Sequence, residues 1–536
     1  MATRSFPFAA SALVVALVFL MPSSARSQLV ATQEAELSPA DASVGGVAYD
    51  VDISGDTLVV GNPADSPGGI AHAGSAAVFV RTGATWTQQV KLTVSDAIAN
   101  DSFGRAVALS GETLVVGLGA HPLHTGAVYV FVRDGESWTQ QAKLVASDGE
   151  TGDWFGSSVD ISGDTIVVGA PNHPVDTRDG AAYVFVREGT TWTQQAQLLP
   201  SGLGSDIFFG QSVAISGDTV VCGSPFYTTT AWNAGAVYVF VRNGTNWSEQ
   251  ARFTGVAENE ELGWSVAMEG DTVIAGGLQE QGAFAEQGPG LARVFVRSGA
   301  TWSQQATLTA SGAAPEAELG WCVALAGDTA VVSSRFDAPA GLAGAGAAYV
   351  FTRSGAAWTQ QVRLIASDGA MGDWVASSVA ISGDTVIAGS VDNDGDPSDW
   401  GRAYVFRLQG EGGPWTNLGF GLAGLGGLSN LGASGTLVAG SPGQLVLSGG
   451  KPSSPAYLIV GPGTMPAPFK GGTLVPLPAA LILPLVTNAS GAISLSWPAW
   501  PTGAPPGLQL DFQYVIPDAA APKGMALSNA LRAITP

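Results

Sequence analysis

Few side chains in this 536-residue chain are equipped for chemistry. There are four histidines, His72, His121, His124 and His173, with Asp65 and Asp176 near them in sequence. Imidazole and carboxylate together suit zinc or copper, so these residues are a candidate transition-metal site, set against the plainer reading of histidines exposed on loops. A second group, Asp392, Asp394, Asp396 and Asp399 in VDNDGDPSDWG, places carboxylates at alternate positions as the start of a calcium loop does. Pro397 stands where such a loop wants Gly and the last acid comes one place early, so a solvated Asp-rich turn is the alternative. The pairs Asp96 and Asp101, Asp148 and Asp153, and Asp368 and Asp373 fit turn-capping hydrogen bonds better than metal ligation. The sequence has no HExxH, GxSxG, phosphate loop or paired-cysteine metal motif, and no catalytic residue is assigned. A GxGxxG match at Gly419, Gly421 and Gly424 lies in a glycine-rich run without the strand-turn-helix context that holds a pyrophosphate.

The elements that must carry these residues repeat. A Gly turn of the type Ser-Gly-Asp-Thr recurs at Gly55, Gly111, Gly163, Gly217, Gly270, Gly327 and Gly383, at spacings of 52 to 57 residues. A second marker, a Trp after a Gly-containing turn, recurs at Trp86, Trp138, Trp192, Trp247, Trp302, Trp358 and Trp415. In the third copy GSSVDIS, TIVVG, AAYVFVR and WTQQAQL read as four antiparallel strands, a to d, the first two joined by a tight hairpin at Gly163-Asp164. Such a unit cannot bury both faces alone, so seven copies stacked about an axis predict a seven-bladed β-propeller over residues 28–409. QEAEL (Gln33 to Leu37) looks like a strand d with nothing before it, and is expected to supply the outer strand of the last blade.

These residues resemble the FG-GAP repeat family, whose best-known members form the ligand-binding head of integrin α-chains. The FG element stands at Phe103-Gly104, Phe155-Gly156 and Phe209-Gly210. The GAP element stands at Gly169-Ala170-Pro171, with looser forms at Gly61-Asn62-Pro63 and Gly223-Ser224-Pro225. The integrin-type DxDxDGxxD calcium loop between strands a and b is missing. The chain is closer to the bacterial form, in which SDGxxGDxFG precedes strand a, as at Ser147-Asp148 to Gly156.

Strand direction puts the d-to-a and b-to-c loops on one face and the tight turns on the other. The loops are long and variable, and that is where a rigid scaffold carries recognition. The residue after each FG position is Tyr49, Arg105, Ser157, Gln211, Trp264, Trp321 or Ser377, a set expected to ring the mouth of the central channel. Tyr49, Arg105, Gln211, Trp264 and Trp321 are the candidate ligand-binding residues, able to stack on sugar rings or grip a peptide. Inter-blade packing is the competing reading of the two tryptophans. The seven marker tryptophans, toward the other face, read as core.

Net charge is −22; residues 410–536 hold four bases and three acids, so the acidity belongs to the repeats. Such a surface disfavours nucleic acid. A basic start, an apolar stretch from Ala9 to Met21 and small residues at Ser23, Ala25 and Ser27 read as a signal peptide over residues 1–27. No transmembrane segment is expected in the mature chain, which is placed outside the cell or at its surface as a monomer. Cys222 and Cys322 fall in non-adjacent copies and read as two buried thiols. After a glycine-rich linker at 410–425, residues 426–536 hold much of the proline and several apolar alternating runs, which read as a small β-sandwich-like C-terminal domain. The whole is an all-β binding or adhesion module for an extracellular protein or glycan, with a polysaccharide-acting enzyme as the alternative. Of the metals the sequence raises, calcium is favoured over zinc or copper, and no cofactor is assigned.

Overall fold

The computed structural model describes residues 29–40, 47–83, 85–119, 125–174, 176–201, 207–279, 288–391 and 401–410, then 415–419, 430–434, 443–448, 451–461, 467–469, 472–474, 481–488, 491–497, 509–518, 525–528 and 530–534. Every long element among them is a β-strand. Two compact units emerge, one of Val30–Gln409 and one containing Gly410–Pro536.

The first unit is a propeller of seven four-stranded antiparallel sheets. Blade 3 is typical. Strand a (Ser158–Ser162) pairs with b (Thr165–Ala170), b with c (Ala181–Glu188), and c with d (Thr191–Leu198). The innermost strands are Val51–Ser54, Ala106–Ser110, Ser158–Ser162, Val213–Ser216, Val266–Glu269, Val323–Ala326 and Ser378–Ser382. Each touches the next, and the seventh returns to the first. The ring is closed.

Closure uses the chain's beginning. The strand Leu29–Leu37 is the outer strand of blade 7, beside Arg402–Gly410. Trp415, expected as the seventh outer-strand tryptophan, is instead on a strand (Trp415–Gly419) that pairs with Ala530–Ile534 in the second unit. The propeller therefore has six marker tryptophans. Residues 410–425 are not simply a linker, because they contain this strand. A Trp after a glycine-rich turn satisfies the local pattern, but strand pairing is decided by distant partners.

The naming residues of the repeat meet across blade boundaries. Phe155 and Phe209 are buried, each edge-on to a tyrosine and a phenylalanine of its own strand c. Gly169, the first residue of GAP in blade 3, lies so close to blade 4 that a Cβ would sit 2.1 Å from the carbonyl oxygen of Gly210, the glycine of its FG pair. Gly180 has φ +85°, and its Cβ would meet Phe209 O at 2.0 Å. Only glycine fits either place.

The WTQQ run has a division of labour. Strand d carries a bulge in each of blades 1 to 6, which in blade 3 leaves Gln195 without a partner opposite it. The bulge frees that amide to accept the indole N–H of the next blade, Trp247, at 2.9 Å. Trp138, Trp192, Trp302 and Trp358 reach back to Gln89, Gln141, Gln250 and Gln305 in the same way. The other glutamine caps the preceding blade's exit loop, Gln194 accepting from Ser147 N at 2.9 Å. At the closing seam Glu34 replaces the glutamine, and among the described residues the buried Trp86 Nε1 has no hydrogen-bond partner. Arg407, which has no tryptophan to stack on there, pairs with Glu34 at 2.9 Å and Asp384 at 2.5 Å.

In the second unit one sheet runs Trp415–Gly419, Ala530–Ile534, Gln509–Pro517, Pro455–Gly461 and Leu481–Val486, with Met525–Leu527 beside Gln509–Pro517. A second runs Asn430–Ser434, Gly443–Ser448 and Ile493–Trp497. Leu431, Leu445 and Leu447 of the second share a core with Leu458, Tyr514 and Ile516 of the first, the arrangement of a sandwich.

Candidate functional site

The candidate site is the mouth of the channel on the loop face. The loops of neighbouring blades meet there: Phe226, after strand b of blade 4, touches Trp264, before strand a of blade 5 (centroids 6.3 Å apart). Ring neighbours also touch each other. The Arg105 guanidinium lies 4.9 Å from the Tyr49 ring centroid, and Trp264 and Trp321 are tilted together at 5.0 Å. The two tryptophans pack against one another, as the inter-blade reading expects, and they stay half-buried rather than sealed. Gln211, on blade 4, is half-buried between these pairs in ring order.

A longer set of contacts extends the tryptophan pair in both directions. On one side Phe226 leads to Phe208 (5.4 Å), and Phe208 to Trp154 (6.2 Å). On the other, Arg335 lies flat on Trp321, its guanidinium carbon 3.1 Å from the ring centroid, and 5.1 Å from that of Trp374. Phe336 closes the series edge-on to Trp374 at 5.5 Å. The arc spans blades 3 to 7, and all of its members are half-buried.

Sequence reasoning found two of these aromatics and missed five. Trp154, Phe208 and Trp374 occupy the position just before the FG pair, where the backbone is left-handed at φ +64°, +52° and +50°. The same position is left-handed at Ser102, Glu261 and Glu318, so the repeat geometry imposes it. Gly or Asn would be at ease there, whereas a bulky side chain is strained by about 1–2 kcal/mol. Their signal was the doublets WF, FF and WV, read only for the second residue. Trp232, on the b-to-c loop of blade 4, is also 65% exposed.

The channel below the mouth carries carboxyls. Asp50 accepts from Val107 N at 2.8 Å, Asp52 from Leu109 N at 2.6 Å and Asp160 from Ile215 N at 2.6 Å. Each therefore caps the inner edge of the next blade. Burial pushes all three upward, Asp50 to about 6, Asp160 to about 7 and Asp52 to about 8; repulsion from Asp160 and Asp50 adds to the rise at Asp52.

The other candidates separate. His121, His124 and the four aspartates Asp392, Asp394, Asp396 and Asp399 lie outside the described residues. His72 is exposed on blade 1, while His173 Nδ1 is 2.8 Å from Asp153 Oδ2, its Nε2 3.6 Å from Asp148. Outer corners of other blades hold a Lys or Arg in this role, as Lys143 with Asp96 at 2.5 Å and Arg363 with Asp337 at 2.5 Å. Among the described residues no group of three or more His, Cys, Asp or Glu side chains is arranged to hold a metal. The second members of the acid pairs are turn caps: Asp101 accepts from Ile98 N, Asp153 from Glu150 N and Asp373 from Ala370 N. Cys222 is buried and Cys322 half-buried, both as free thiols held well above their ordinary range by burial. A shallow hollow of about 230 Å³ beside Gln279, Leu291 and Pro315 has no titratable side chain in its lining, and it is not the candidate site.

The FG-GAP repeat model matches residues 86–131, 138–185, 192–240, 302–351 and 358–406. Each match runs from the outer strand of one blade to strand c of the next. No curated protein matches the chain. Among the described residues no helix is long and apolar enough to cross a membrane.

Proposed function

From the premise that the chain is an FG-GAP repeat β-propeller, we propose that it is a binding module, secreted or held at the cell surface, which recognises an extracellular ligand on its loop face. The observation that carries this is the strained, half-buried aromatic arc around the channel mouth. Packing alone does not call for aromatic residues in left-handed positions, since the same fold accommodates Ser102 and Glu261 at equivalent places. Recognition gives a reason for them, because aromatic faces at a concave rim contribute contact area at low entropic cost.

Binding is favoured over turnover because the channel carboxyls Asp50, Asp52 and Asp160 are occupied in capping backbone N–H groups. The test is a glycan and matrix-protein binding array run beside a polysaccharide degradation screen. Binding of the full chain, lost in Trp264→Ala/Trp321→Ala with the melting curve preserved, is expected. Turnover of any glycan overturns the reading.

A further inference from the structure

We propose that the ligand of the aromatic arc is an uncharged oligosaccharide chain; this rests on the binding reading above. The surface must recognise something extended, because its rings follow one another over five blades instead of converging on a point. It suits faces more than formal charges. Arg335 is sandwiched between Trp321 and Trp374 and lies 3.7 Å from Glu318, which is fully buried, so its charge is already answered within the protein. A polyanion would meet a repeat region that carries the chain's net negative charge.

Apolar C–H faces of neutral sugars stack on indole and phenyl rings, and their hydroxyls need donors and acceptors close by. The rim offers those beside the arc. Arg105, Ser157 and Gln211, on blades 2 to 4, are each half-buried at the position after the FG pair. Half-buried polar side chains next to aromatic faces are what a hydroxylated, uncharged ring can engage.

The test titrates the full chain with neutral cello-, xylo- and manno-oligosaccharides of three to six units, and with polygalacturonate, reading tryptophan fluorescence and heat. One neutral series is expected to bind, with affinity rising about tenfold from trimer to hexamer and unchanged between low and high salt. Trp264→Ala and Trp374→Ala should each weaken it about tenfold, while Trp374→Tyr, which keeps a stacking face, should restore most of the loss. A salt-sensitive preference for polygalacturonate overturns the proposal. So does an absence of neutral-sugar binding in a chain that still captures a protein through the loop face, and in that case the binding reading survives. Binding that is indifferent to every rim variant sinks both.

Discussion

The two faces of the propeller are built from the same seven repeats, yet one is nearly identical from blade to blade and the other differs at almost every position. On the tight-turn face an arginine of strand c pairs with an acid of the a-to-b turn, reaches a threonine of the preceding blade and lies over the tryptophan of strand d. Arg187 does so with Asp164, Thr113 and Trp192, and Arg242 with Asp218, Thr165 and Trp247. On the loop face the equivalent positions hold tyrosine, arginine, serine, glutamine and tryptophan in turn. Uniformity holds the ring together and divergence shapes what the ring meets, so stability and recognition should respond to different substitutions.

The largest break should come at a blade boundary. Gly169→Ala drives a methyl to 2.1 Å from Gly210 O and should cost about 3 kcal/mol or more in urea unfolding. Gly163→Ala, with φ +58° and nothing within 4 Å, should cost only about 1 kcal/mol. Next comes the channel. Because the Asp52 pKa is raised in the fold, the folded chain holds that proton more tightly than the unfolded chain. The stability this gives is complete below the ordinary value of 3.8 and is lost as pH rises through about 8. The melting temperature should therefore climb as pH falls from 9 towards 5. Asp52→Asn should flatten that climb and melt roughly 3–5 °C above the parent at pH 9, as scanning calorimetry at several pH values would show.

Arg242→Ala on the turn face should cost about 1 kcal/mol, mostly from lost stacking on Trp247, since its partner Asp218 is largely exposed. Arg187→Ala and Arg297→Ala should match it closely in denaturant titrations; unequal costs would break the claim of uniformity. The smallest effect on stability should be at the loop face, where Trp264→Ala shifts the unfolding midpoint least of these while weakening ligand binding about tenfold.

Periodicity made most of the propeller readable. Gly turns fixed the number of blades, and the likeness of QEAEL to QQAKL placed the N-terminal strand, because an outer strand keeps its residue pattern wherever it falls in the chain. Trp415 shows the limit: its local pattern is right and its partner, Ala530–Ile534, lies more than a hundred residues away. The ring at Tyr49, Arg105, Gln211, Trp264 and Trp321 follows from register, and the structure pairs four of the five. Phe226 and Phe336 share one place in the repeat, two residues past the end of strand b, but its occupant changes from blade to blade, so no residue type marks it. The raised carboxyls at Asp50, Asp52 and Asp160 were hidden too, since alternation says which side of a strand a residue takes and not how little water reaches it.

The seam has a consequence for how the molecule comes into being. Glu36 and Arg402 form an ion pair, so a segment emerging among the first from the ribosome docks only after nearly four hundred further residues exist. An open stack of repeats can consolidate as it grows, but this circle gains its final increment of order in a single late event. Until then blade 7 has an uncovered edge, and any chain cut short before Arg402 should be captured by proteases or by another copy's free strand.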